Sequence, residues 1–145
     1  IFIIHSFYLL YKYSKFSLNY YMKELELIKC ATIAQKNSQS KFSNFAVGCS
    51  ILCEDNTIIY GCNIESAVYP STLCAERVAI YSALSQGHTK FQAIAIVSDN
   101  FAKPCGSCRQ IIYEYLGNIP IYISSTEGKE FTTHYIKDLL PHPFG

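Results

Sequence analysis

Residues 74–117 read CAERVAIYSALSQGHTKFQAIAIVSDNFAKPCGSCRQIIYEYLG, and their pattern decides the fold. From about Cys74 to Ser85, Ala75, Val78, Ala79 and Ser82 or Ala83 recur on one stripe of a helix. Pro70-Ser71-Thr72 precedes this helix and Gly87 ends it. Phe91 to Ser98 then carries an unbroken apolar run, Ala93 to Val97, which predicts a strand buried on both faces. Pro104 to Ser107 reads as a turn, and Cys108 to Leu116 as a second helix closed by Gly117. With a further strand at Ile119 to Ser124, this alternation predicts parallel strands joined by a helical crossover.

Upstream, Lys23 to Lys36 places Leu27, Ile28, Ala31 and Ala34 on one helical face. Ala46 to Cys53 and Thr57 to Asn63 are apolar runs split by Glu54-Asp55-Asn56, the form of a hairpin. Tyr135 to Leu140 reads as a short final helix. The expected fold is α/β: a mixed sheet of about five strands with helices on both faces.

The 145 residues suit one domain, and with half of them hydrophobic and 16% charged the chain can bury a core. Residues 1–21 differ from the rest, holding eight aromatics, two lysines, one histidine and no acid. Their apolar run, Ile1 to Tyr11, is too short to span a bilayer, and its lysines follow the run instead of preceding it as in a signal peptide. Met22 is the single methionine. Residues 1–21 are read as an upstream segment, added or targeting, and 22–145 as the functional domain. Removing Lys12 and Lys15 from the twelve basic residues leaves ten in 22–145, against eleven acids. That balance argues against a nucleic-acid partner. The seven cysteines are odd in number, and three have metal-type spacing, which suits a reducing, cytoplasmic setting.

Those three are Cys74 and the pair in Cys105-Gly106-Ser107-Cys108, each group at a predicted helix start. Helix N-termini favour thiolate over thiol, so two such ends facing each other can hold three sulfurs around one zinc ion. Three ligands leave a coordination position for water, which zinc ionises near neutral pH. Glu76, two residues after Cys74, reaches such a water as a proton acceptor without ligating the metal. The complete pattern, Cys-x-Glu followed by Pro-Cys-x-x-Cys, is that of zinc deaminases. A closed structural site would need a fourth ligand, for which Cys62 and His88 are available. Cys30, Cys49, Cys53 and Cys62 read as core thiols.

The sequence resembles the small homotetrameric cytidine deaminases from about Phe42 to Phe144. The matching segments are Phe42-Ser43-Asn44-Phe45-Ala46-Val47-Gly48, Gly61-Cys62-Asn63-Ile64-Glu65, Cys74-Ala75-Glu76-Arg77, Pro104 to Gln110, and Leu139 to Gly145. The resemblance implies one zinc per subunit on Cys74, Cys105 and Cys108, with Glu76 relaying protons during hydrolysis of cytidine or deoxycytidine. It implies that Asn63 and Glu65 hold the ribose 3′-hydroxyl, that Phe45 packs on the pyrimidine, and that Ala75 also lines the substrate site. Tyr69 and Phe144 correspond to positions that reach a neighbouring subunit's pocket, so the tetramer shares its active sites. Arg77 can donate to thiolate sulfur and offset the negative charge of a three-thiolate site; Arg109 can be read likewise. Phe42 departs from a tyrosine common in the family.

Other readings remain at this point. Deaminases of nucleoside antibiotics share Cys-x-Glu but lack the Asn-Ile-Glu segment, and nucleotide or polynucleotide deaminases usually have histidine as first ligand. A noncatalytic zinc-stabilised binding module is the reading from outside enzymology.

Overall fold

The computed structural model describes residues 22–145. The reading of residues 1–21 as an upstream segment lies outside the described residues. Helix α1 covers 22–35. The hairpin strands β1 (Val47–Cys53) and β2 (Ile58–Cys62) follow, then a 3₁₀ turn at Tyr69–Ser71 and helix α2 (Ala75–Ser85). Strand β3 (Phe91–Ser98), helix α3 (Gly106–Leu116), strands β4 (Pro120–Ser124) and β5 (Phe131–Tyr135), and the single turn α4 (Ile136–Leu139) complete the described residues.

The five strands form one mixed sheet in the order β2-β1-β3-β4-β5. Only β3 and β4 are parallel, with Ile94 facing Ile121 and Ile96 facing Ile123; α3 is their crossover. Helices lie on both faces. On one, Ala75, Ala79 and Ile80 of α2 and Ile112 and Leu116 of α3 pack on Cys49, Ile51, Ile94, Ile96, Ile121 and Ile123. On the other, Leu27, Ile28 and Ala31 of α1 pack on Leu52, Ala93, Ala95, Val97 and Tyr122. The alternation of β3 residues between the two clusters explains its continuous apolar run.

Two glycines set how closely the helices approach. A Cβ on Gly48 would collide with the Ala31 carbonyl of α1, and a Cβ on Gly61 would lie 2.7 Å from the Ala79 nitrogen of α2. Both helices therefore bear directly on backbone, which brings the start of α2 against the end of β2. Ser50, fully buried, is satisfied by donating to the Leu27 carbonyl at 2.6 Å, pinning β1 to α1.

Sequence periodicity marks four of the strands. The fifth, Phe-Thr-Thr-His-Tyr, has no fully buried residue and forms because the outer edge of β4 offers a ladder to it. An edge strand of this kind carries a weak apolar signal. The helix ends differ from the expectation by small steps: α3 begins at Gly106, two residues earlier, with Cys105 as its N-cap. Of the presumed core thiols, Cys49 and Cys53 are buried, whereas Cys30 and Cys62 are only half-buried. All seven cysteines are free.

Candidate active site

Cys74 and Cys105 are the N-cap residues of α2 and α3, both with extended backbone and neither with a side-chain capping bond. Their sulfurs are thus released toward each other. Cys108, in the first turn of α3, joins them; the three sulfurs lie within 4.8 Å of one another, Cys74 to Cys105 at 3.9 Å. Zinc bonded tetrahedrally to thiolates at about 2.3 Å would set sulfurs about 3.8 Å apart. The donor set fits zinc in chemistry and in spacing. Neither Cys62 nor His88 joins this group among the described residues.

Arg77 donates through Nη2 to Cys74 Sγ at 3.7 Å and to the Thr72 carbonyl at 3.1 Å. The Cys74 thiol is held down to about 5, chiefly by the hydrogen bond from Cys108, with Arg77 and Cys105 assisting. The Cys108 thiol is raised in turn, because its proton serves Cys74. Zinc would replace those protons. Arg109 does not do what Arg77 does. Its guanidinium donates to the carbonyls of Pro104 and Leu139, both at 2.8 Å, bracing the α3 entry against α4.

Glu76 is 4% exposed, in the first turn of α2. Burial pushes its carboxyl up to about 7, and the charge on Cys74 adds to the rise. A carboxyl poised near neutrality can both take and give a proton at working pH.

These groups open into a pocket of about 230 Å³. Its helix wall includes Cys74, Ala75, Glu76 and Cys105; its opposite wall includes Ser43, Phe45, Asn63 and Glu65. The second wall is set by backbone pairing: Ile64 exchanges two hydrogen bonds with Leu73, the residue before Cys74, while Gln39 bonds to Asn63 and Glu65. Asn63 and Glu65 thus flank the metal-type site, though beyond the end of β2. Asn63 accepts from Ser38 Oγ at 2.6 Å and the Val47 N–H at 2.9 Å, and donates to the Phe45 carbonyl at 2.9 Å. Glu65 accepts from the backbone N–H groups of Phe42 at 2.8 Å and Ser43 at 3.1 Å, and from the Ser43 hydroxyl. The Ser43 hydroxyl, foremost, keeps the Glu65 carboxyl below its usual value.

Tyr69 and Phe144 are outside this pocket, 76% and 88% exposed. Tyr69 meets Phe42 edge to face at 6.5 Å, and the backbone of Phe144 is held by the Gln110 amide in two hydrogen bonds. Ser43 and Lys103 also line the pocket, and neither was assigned a role from sequence. The signal for Ser43 was its place two residues before Phe45; Lys103 directly precedes Pro-Cys-x-x-Cys.

The sheet, the three-thiol cluster and the buried carboxylate define a zinc-site deaminase. Residues 22–122 match the family model described as cytidine and deoxycytidylate deaminase zinc-binding region, and the chain belongs to this family. A cytidine deaminase from Sporosarcina psychrophila is 42% identical over 123 residues, covering 82% of this chain and 89% of that protein. One from Halalkalibacterium halodurans is 38% identical, covering 81% and 91%. Among solved structures, a cytidine deaminase from Burkholderia pseudomallei aligns with a TM-score of 0.77 at 34% identity, covering 82% of this chain and 97% of that one.

Proposed function

We propose that this protein hydrolyses cytidine and deoxycytidine to uridine and deoxyuridine, releasing ammonia. The observation that carries the reading is a single pocket lined by two of three convergent thiols, with Cys108 buried behind them, a buried carboxyl near neutrality, and an amide and carboxylate on the facing wall.

Cys74, Cys105 and Cys108 hold one zinc ion per subunit. When bound, zinc supplies a Lewis acid that lets water act as nucleophile at neutral pH. Glu76 takes one proton of that water and delivers it to N3 of the cytosine ring; it then takes the remaining proton from the oxygen added at C4 and gives it to the departing amino group, which leaves as ammonia. Arg77 steadies the Cys74 thiolate. Phe45 and Ala75 confine the base. Asn63 and Glu65 meet the sugar 3′-hydroxyl, the carboxylate accepting from it. Both are already fixed by backbone partners, so little reorganisation is needed on binding.

Residues 22–145 constitute the active domain, in a cytoplasmic homotetramer acting on a free nucleoside. The exposed Tyr69 and Phe144 support an assembly in which each reaches a neighbouring pocket. Among the described residues no helix is long and apolar enough to cross a membrane.

Ammonia release from cytidine tests the reaction. A noncatalytic zinc module would release none. Free cytosine should react about 10³-fold more slowly than cytidine, since a site built to bond the sugar leaves its polar groups unpaired without it. Equal rates for cytosine and cytidine, or a ratio unchanged by Glu65→Ala, would reject the nucleoside assignment. An active monomer in light scattering would reject shared sites.

A further inference from the structure

We propose a second metal site, for a divalent transition ion, at the end of the sheet opposite the pocket, made by Cys53, Asp55 and His88. A donor atom of each lies within 4.8 Å of those of the other two. β1 runs from Val47 on the pocket wall to Cys53, a span of roughly 20 Å at about 3.3 Å per residue, so this cluster is separate from Cys74, Cys105 and Cys108.

Each donor is held by backbone structure. Cys53 ends β1, its amide donating to the Thr57 carbonyl at 2.9 Å across the hairpin. Asp55 closes the turn by accepting the Thr57 N–H on Oδ1 at 3.0 Å, which leaves Oδ2 directed at His88 Nδ1, 3.7 Å away. His88 follows Gly87, whose φ of +89° closes the C-terminus of α2. The His88 N–H bonds to the Ala83 carbonyl and the Gly87 N–H to the Leu84 carbonyl, a Schellman cap that fixes where the imidazole emerges.

The 3.7 Å separation is long for a hydrogen bond. Two donors each about 2.0–2.1 Å from one ion at a tetrahedral angle stand about 3.3–3.4 Å apart, so an ion would draw this pair together by about 0.3 Å. Lys90 does not fill the place of a cation, because Glu54 engages it at 3.5 Å. Asp55 and His88 line a surface pocket of about 250 Å³, which gives an ion and its water a path in. A thiolate, an imidazole and a carboxylate select zinc, cobalt or nickel over magnesium or calcium. With thiolate and carboxylate charged, a divalent ion makes the group neutral. Its effect is mechanical: it fastens the β1–β2 hairpin to the C-terminus of the helix whose first turn carries Glu76.

The test is a Co²⁺ titration of the protein already holding zinc in its three-thiol site. Cobalt binds such donors more weakly than zinc and does not displace it. The expected result is one further equivalent of Co²⁺ per subunit, with a thiolate-to-cobalt absorption band and a higher melting temperature. His88→Ala and Asp55→Asn should each weaken this binding by at least about tenfold, as losing a ligand exceeds losing an outer-sphere partner. Asp55→Asn retains the oxygen that caps the turn, so its fold is preserved. Cys53→Ala should abolish the absorption band. All three should retain deaminase activity and the first equivalent of zinc, which keeps this result distinct from a failure of the catalytic assignment. Saturation with no Co²⁺ bound beyond the zinc in the wild type, or equal Co²⁺ affinity in His88→Ala, overturns the proposal and leaves His88 and Asp55 as a surface pair without a metal role.

Discussion

On one wall of the pocket, Cys74, Ala75, Glu76 and Cys105 stand at the starts of α2 and α3; on the other, Ser43, Phe45, Asn63 and Glu65 stand on irregular backbone. The helix wall owes its geometry to local rules. An N-cap residue has extended backbone, and the unpaired N–H groups beside it favour anionic sulfur. The loop wall has no such template. Its shape comes from side chains bonding backbone 16 to 23 residues away, Asn63 to Phe45 and Val47 and Glu65 to Phe42 and Ser43, and from the Ser38 hydroxyl donating to the Asn63 side chain 25 residues on. Damage to the helix wall should therefore stop the chemistry, and damage to the loop wall should loosen the fold and the sugar preference.

The largest effect is expected from Cys105→Ser, which removes one of the three thiols proposed to hold zinc. Zinc content and melting temperature should fall together, because metal binding is coupled to folding. Full zinc occupancy by metal analysis would mean that Cys105 is not a ligand. Glu76→Ala comes next: zinc and fold kept, turnover down about 10²–10⁴-fold. Near-normal kcat would reduce Glu76 to an ordinary first-turn acid.

Glu76 gives a third, sharper probe in zinc-free protein. A rise in its carboxyl from 4.5 to about 7 corresponds to about 3 kcal/mol. Below pH 4.5 the folded and unfolded chains both carry the proton, and Glu76→Gln should melt close to the wild type. Between pH 4.5 and 7 the unfolded chain loses that proton first, so the wild type grows progressively less stable. Above pH 7 the variant should be the more stable by about 3 kcal/mol in urea unfolding. A pH-independent difference would show that the carboxyl is not penalised by burial. The smallest effect belongs to the loop wall. Asn63→Ala strands the Val47 N–H and the Phe45 carbonyl, at a cost of about 1–3 kcal/mol, with KM rising more than kcat falls. A selective loss of kcat would move Asn63 into the proton chemistry.

Much of this was legible from residue order. The apolar run of β3 announced a strand covered on both sides, and Gly87 and Gly117 marked the helix ends that the structure shows. The three thiols and Glu76 were legible because a few adjacent residues and one helix start define each. Arg109 shows the limit. Beside Cys108 in sequence, it reads like Arg77 beside a thiolate, yet its guanidinium faces two carbonyls. Which way a long side chain turns depends on what packs against its helix, and α4 is distant in sequence.

The same division runs through the whole chain. By itself the sequence determined the helix and strand periods, the thiol spacing and the acid beside it, because these rest on neighbours within a turn or a strand. Only tertiary structure decided that FTTHY becomes an edge strand, that Glu65 is clamped by Ser43, and that Cys53, Asp55 and His88 converge. Those contacts join segments up to some 35 residues apart. They form once the sheet and helices bury their apolar faces, and no local pattern encodes a pairing whose partner is brought in by packing.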